Sequence, residues 1–117
     1  MDAKQTSMYG IVRDAHTGKP IQHARIDIIE GPEMFEAIRA VKKLLYTDRQ
    51  WKDLHQRIDR YVTTHDGQYS FSNLPPGQYR LHCRHHADSP HHAELNTELR
   101  SGDNYTHILL PRAQLRS

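Results

Sequence analysis

A chain of 117 residues has the length of a single domain, and such a domain buries only roughly 60–70% of the surface its unfolded chain exposes. At 36% hydrophobic residues the core is thin or completed by a partner, so homo-oligomerisation stays in view. A net charge of +2 does not favour the concentrated basic patch of a nucleic-acid binder, and a single cysteine, Cys83, excludes an intrachain disulfide and a bridge-stapled secreted scaffold.

Residues 1–7 are polar and lead into no apolar segment of the kind a secretory signal needs, and no apolar run approaches ~18 residues. The expectation is a cytoplasmic protein away from the membrane, with a secreted or periplasmic mature form as the alternative. The first predicted strand covers residues 8–13. Residues 14–20 combine an Asp able to bond its own backbone with Gly18 and Pro20, which makes a turn. A second strand is predicted over 21–30, with Ala24, Ile26 and Ile28 on one face.

Between residues 31 and 60 the apolar period changes from two to that of a helix. Met34, Phe35, Ile38, Val41, Leu44 and Leu45 fall on one stripe, and Pro32 suits a first helical turn. Thr47 and Gln50 have the spacing of a capping box, which starts a second helix bearing Trp51, Leu54 and Ile58.

Strand character resumes over 60–64, His65-Asp66-Gly67 reads as a tight turn, and 68–72 as the returning arm of a hairpin. Pro75 and Pro76 cannot donate ladder hydrogen bonds, so 73–77 is a loop. Residues 78–86 alternate Tyr79, Leu81 and Cys83 against Arg80, His82 and Arg84, the clearest period-2 segment in the chain. Two more strands, 92–99 and 104–110, flank a turn at 100–103. The count is seven, in one domain spanning 1–117 with its helical insertion at about 31–60, between the second and third strands. The predicted core comprises Val12, Ile26, Ile28, Tyr69, Phe71, Leu74, Tyr79, Leu81, Leu95, Ile108 and Leu110.

With the turns placed, the chain resembles the carboxypeptidase regulatory-like domain family, within the broader group of transthyretin-like (prealbumin-like) sandwiches. The resemblance is carried by Gly10-Ile11-Val12-Arg13-Asp14, Thr17-Gly18-Lys19-Pro20-Ile21, Ala24-Arg25-Ile26, Thr64-His65-Asp66-Gly67-Gln68-Tyr69-Ser70-Phe71 and Leu74-Pro75-Pro76-Gly77-Gln78-Tyr79-Arg80-Leu81. It implies a seven-stranded antiparallel Greek-key β-sandwich. It also implies a structural, adhesive or regulatory appendage with no catalytic residues to carry over. The departure is the insertion, longer than the connection the family ordinarily has there.

The helical stripe therefore supplies the first functional candidate. Phe35, Ile38, Val41, Leu45, Trp51 and Leu54 form a surface for a protein partner or a second copy, or else pack over the open sheet. Glu36 with Arg39, and Asp53 with Arg57, stand at helical spacings and read as a solvated face. Cys83, inward on its strand, reads as a small buried hydrophobe.

Five histidines, His82, His85, His86, His91 and His92, supply the second candidate. Along one strand His82 and His86 stand ~13 Å apart, so only a fold-back at 87–90 brings His86, His91 and His92 together on a metal. Part of the chain is also similar to intradiol ring-cleaving dioxygenases. That resemblance implies ferric iron held by Tyr79 and His92, with Tyr46 or Tyr61 as the other tyrosine and Glu94 where a second histidine would stand. Transthyretin-like hydroxyisourate hydrolases are a weaker likeness, since their closing Tyr-Arg-Gly-Ser is missing from Ala113-Gln114-Leu115-Arg116-Ser117. The expectation is a non-catalytic binding or structural module without a cofactor. A metal-dependent enzyme, or a histidine-rich protein binding a divalent metal or iron, is the alternative.

Overall fold

The structure is a computed structural model and describes residues 6–54, 56–85 and 92–111. Its elements run β1 (Thr6–Asp14), β2 (Arg25–Glu30), α1 (Glu33–Lys43), α2 (Asp48–Asp53), β3 (Arg60–Val62), β4 (Gln68–Leu74), β5 (Gly77–Arg84), β6 (His92–Leu99), β7 (Asp103–Tyr105) and β8 (Ile108–Leu110). Two four-stranded sheets face each other. One is ordered β4-β1-β7 with β8 also on β1, and the other β3-β2-β5-β6. The protein is thus mainly β with two helices, and both helices fall between β2 and β3. No helix among the described residues is long and apolar enough to cross a membrane.

Alternation produces the core. Met8 and Val12 on β1, Ile26 and Ile28 on β2, Tyr69 and Phe71 on β4, and Tyr79, Leu81 and Cys83 on β5 all point between the sheets and are buried. Leu74, Leu99, Ile108 and Leu110 close the layer. Leu95, expected in the core, is only partly buried, because β6 is an edge strand whose inward positions Ala93, Leu95 and Thr97 lie at the rim, with Leu99 alone of that face buried.

Three expectations are corrected. The final strand of 104–110 is two strands, so eight rather than seven occur among the described residues. It breaks at Thr106, whose carbonyl leaves the ladder to accept the Tyr69 hydroxyl while its N–H stays on the Tyr9 carbonyl at 2.9 Å. That carbonyl occupies the space above residue 10, where any Cβ would overlap it, so residue 10 is glycine. The sandwich is also not wholly antiparallel. Both β7 and β8 run parallel to β1, in registers Tyr9 with Tyr105 and Val12 with Ile108.

The third correction concerns the expected hairpin at Gly67. Gly67 does adopt a left-handed φ of +75°. Yet β3 pairs with β2 and β4 pairs with β1, so the turn carries the chain from one sheet to the other. Gly67 is held there by its carbonyl, which accepts from Val12 N at 2.9 Å. Pro75 and Pro76 make the return crossing, from β4 to β5.

Candidate functional site

The insertion is fastened to the sheet by guanidinium groups. α1 begins after Pro32 and turns Phe35 into the core, edge-on to Tyr79 with ring centroids 5.3 Å apart. One turn later Arg39 lies over the Phe35 ring at 5.1 Å and donates to the Ile28 carbonyl at 2.8 Å. It also bonds Glu36 and, at 3.3 Å, the buried carboxylate of Asp59. Asp59 takes two further bonds from Arg57, at 2.7 and 3.2 Å.

α2 starts at the expected capping box, with Gln50 N bonded to Thr47 Oγ1 at 3.1 Å and Thr47 N to Gln50 Oε1 at 2.9 Å. It ends on arginines. Arg60 donates to the carbonyls of Lys52 and Leu54, both at 2.9 Å, and Arg57 to that of Trp51 at 3.0 Å, satisfying carbonyls the short helix leaves open. Arg57 also stacks over the Trp51 ring at 4.5 Å. Its guanidinium is pulled below the ordinary arginine value chiefly by burial, with Asp59 acting in the opposite sense. Arg60 reaches Asp27 as well, at 2.8 Å.

The solvated face read from the sequence is accordingly corrected. Glu36 and Arg39 do pair, but Arg39 is largely sequestered and spans from α1 to Asp59. Arg57 pairs with Asp59, not Asp53, on the described side chains.

Two of the six side chains expected on a partner surface leave it. Phe35 lies in the core, and Trp51 lies under Arg57, because the arginine contacts fix which side of each helix faces inward. Ile38 is half-buried, and Leu54 is half-buried at the rim of an open groove of about 560 Å³ with Arg25, Lys52 and Arg60. Val41 and Leu45 are exposed, at 65% and 76%. They are joined by Met34 at 66% and Leu44 at 84%, the two most exposed apolar side chains besides them. Met34 and Leu44 belong to the helical stripe read from the sequence but not to the six residues of the expected partner surface. Their signal is the spacing Met34, Ala37, Val41, Leu44, a second apolar line beside the one that holds Phe35.

Of the metal candidates, His86 and His91 lie outside the described residues. His92 is exposed at the start of β6, with its ring centroid 4.7 Å from that of His82 on β5. No group of three or more potential metal ligands occurs among the described residues. The dioxygenase-like set does not converge either. Tyr79 pairs with Thr97 and Arg84 with His92, so Tyr79 and His92 are five positions apart along the hairpin, about 17 Å. They also face opposite sides of the sheet: Tyr79 points inward and donates its hydroxyl to the Pro75 carbonyl, while His92 is on the outer surface. Tyr61 packs on Phe71, and Tyr46 sits near Trp51. Glu94 stands opposite His82 on the outer face. Cys83 is fully buried, and burial pushes its thiol up to about 12, far from a nucleophile.

One further surface feature had no counterpart in the sequence reading. Exposed Tyr9 and Tyr105 meet edge-to-face at 5.4 Å on the outer side of the first sheet, beside a shallow cleft of about 420 Å³.

No protein-family model and no curated protein matches the chain. Among solved structures it is similar to the minor pilin of Streptococcus agalactiae, with a TM-score of 0.58 at 12% identity over 98% of this chain and 48% of that one. It is similar to a DUF3823 family protein from Bacteroides uniformis, with a TM-score of 0.52 at 16% identity over 93% of this chain and 43% of that one. A third likeness is hydroxyquinol 1,2-dioxygenase from Pseudomonas putida, at 0.50 and 13% identity over 97% and 58%. At such identities the likeness shows the two-sheet β-sandwich alone. This chain spans about half the length of those proteins, 43% to 58%.

Proposed function

We propose that this chain is a carboxypeptidase regulatory-like sandwich used as a non-catalytic binding or structural module, with its helical insertion as the association surface. The observation that carries this reading is the apolar line Met34, Val41 and Leu44, extended by Leu45, on a helix held rigid from behind. Single exposed apolar residues are ordinary, whereas a contiguous set on one element marks an interaction site. Arg39 and Phe35 already occupy the inner side of α1, so among the described residues this line covers no surface of its own domain. The similarity to the minor pilin is in keeping with a structural role.

Methionine oxidation tests the reading. Met34 is exposed and Met8 fully buried, so Met8 serves as an internal reference. Dilute purified protein is expected to oxidise at Met34 readily. In extract of the cells that make the protein, or at high protein concentration, Met34 is expected to be protected. Equal oxidation under all of these conditions sinks the reading.

A further inference from the structure

The exposed line on α1 fits one occupant in particular, an inference that rests on the association surface proposed above. Met34, Ala37, Val41 and Leu44 are separated by three, four and three residues, the alternation that keeps a narrow apolar seam on one side of a helix. Their line points away from the Phe35 side, so a second helix can lie along it without meeting the sandwich. Ala37, within the seam, leaves room for close approach of the two backbones.

Charge then selects the direction. The first turn of α1 carries Glu33, beside a Glu36 already held by Arg39, and the last turn carries Lys42 and Lys43. A parallel second copy would set carboxylate against carboxylate and ammonium against ammonium. An antiparallel copy sets the acidic end against the basic end and opposes the two helix dipoles. The seam suits that arrangement: with Ala37 opposite Val41 of the second copy, Met34 falls opposite Leu44, and both halves match. We infer that α1 pairs with α1 of a second copy of this chain, antiparallel, about a twofold axis at the level of Arg39. One helix against another buries less than the ~800 Å² per partner of a standard complex, so the dissociation constant of the dimer is expected to be micromolar or weaker.

Sedimentation velocity between about 1 µM and about 1 mM reads the association. A shift toward twice the monomer mass is expected. In Leu44→Glu, folded by its thermal midpoint, the dissociation constant is expected to rise at least tenfold. Ile29→Glu, exposed but off the seam, is expected to dimerise like the parent protein.

Direction is read by cysteine cross-linking, since Cys83 is buried and does not compete. An equimolar mixture of Met34→Cys and Leu44→Cys is expected to form disulfide-linked dimers at least tenfold faster than either variant alone. Faster linking of Leu44→Cys to itself overturns the antiparallel pairing. A monomer across the whole concentration range overturns self-association. Met34 protection in extract would then leave the association surface standing with a different occupant, and no protection would remove both.

Discussion

Replacing Asp59 by alanine tests how the insertion is held. Asp59 is buried and accepts from Arg39 and twice from Arg57, so its removal leaves Arg57 without its carboxylate and Arg39 with Glu36 as its remaining carboxylate. Breaking a buried ion pair from one side costs about 3–5 kcal/mol. Arg39 is one-fifth exposed and keeps Glu36 and the Ile28 carbonyl, which places the expectation at the low end, about 3 kcal/mol. For a chain of 117 residues, with an unfolding entropy of about 2.1 cal/mol/K per residue, that is a fall of about 12 °C in Tm. The assay is urea unfolding followed at two wavelengths. The single tryptophan, Trp51, lies against Arg57 and reports the insertion, while far-ultraviolet circular dichroism reports the sheets. Asp59→Ala is expected to move the fluorescence transition to lower urea at least as far as the dichroism transition. Asp53→Ala, on the exposed side of α2, is expected to change stability by less than about 0.5 kcal/mol. A loss below about 1 kcal/mol for Asp59→Ala would refute the reasoning, since a largely sequestered Arg57 left without its carboxylate cannot cost so little.

Gly10→Ala drives a methyl group into the Thr106 carbonyl and is expected to cost at least about 1–3 kcal/mol, measured by the same denaturation curves; a neutral result would show that the β7–β8 break relaxes freely. His82 is held below the ordinary histidine value by burial first, then by Arg84 and His92, with Glu94 and Asp27 opposing. Its neutral form is favoured by folding, so the stability it lends is complete above the unfolded value of about 6.5 and drains as pH falls through the lower folded value, by at most about 1.4 kcal/mol per pH unit. His82→Gln is therefore expected to show a shallower stability loss between about pH 7 and pH 5 than the parent, and parallel pH curves would remove His82 from the account. Cys83 is expected to resist a thiol reagent in the native protein and to react fully in urea; rapid native labelling would contradict its burial.

How much of this was legible beforehand differs by element. β5 was readable because Tyr79, Leu81 and Cys83 alternate with polar residues, and β2 for the same reason at Ile26 and Ile28. The capping box at Thr47 was readable because both of its bonds are made within four residues. What sequence could not supply was choice of partner. Gly67 announces a chain reversal, but a tight turn does not state whether its two arms share a sheet, and here they do not. The insertion shows the same limit. Phe35 and Met34 lie about 100° apart on the helix, and each belongs to an apolar line. Only the bonds from Arg39 to Ile28 and Asp59, set by residues eleven and twenty positions away, decide which line turns inward.

The parallel pairing of β1 with β7 and β8 has a kinetic consequence. Ser7 meets Asp103 and Val12 meets Ile108, contacts between residues 96 positions apart in each case. Of the described strands β1 is synthesised first and β8 last, so the first sheet can assemble β1 with β4 but must wait for β7 and β8 before its opposite edge is filled. During that interval β1 carries an open row of backbone donors and acceptors, which makes the half-built sheet the stage of synthesis most exposed to mispairing with a neighbouring nascent chain.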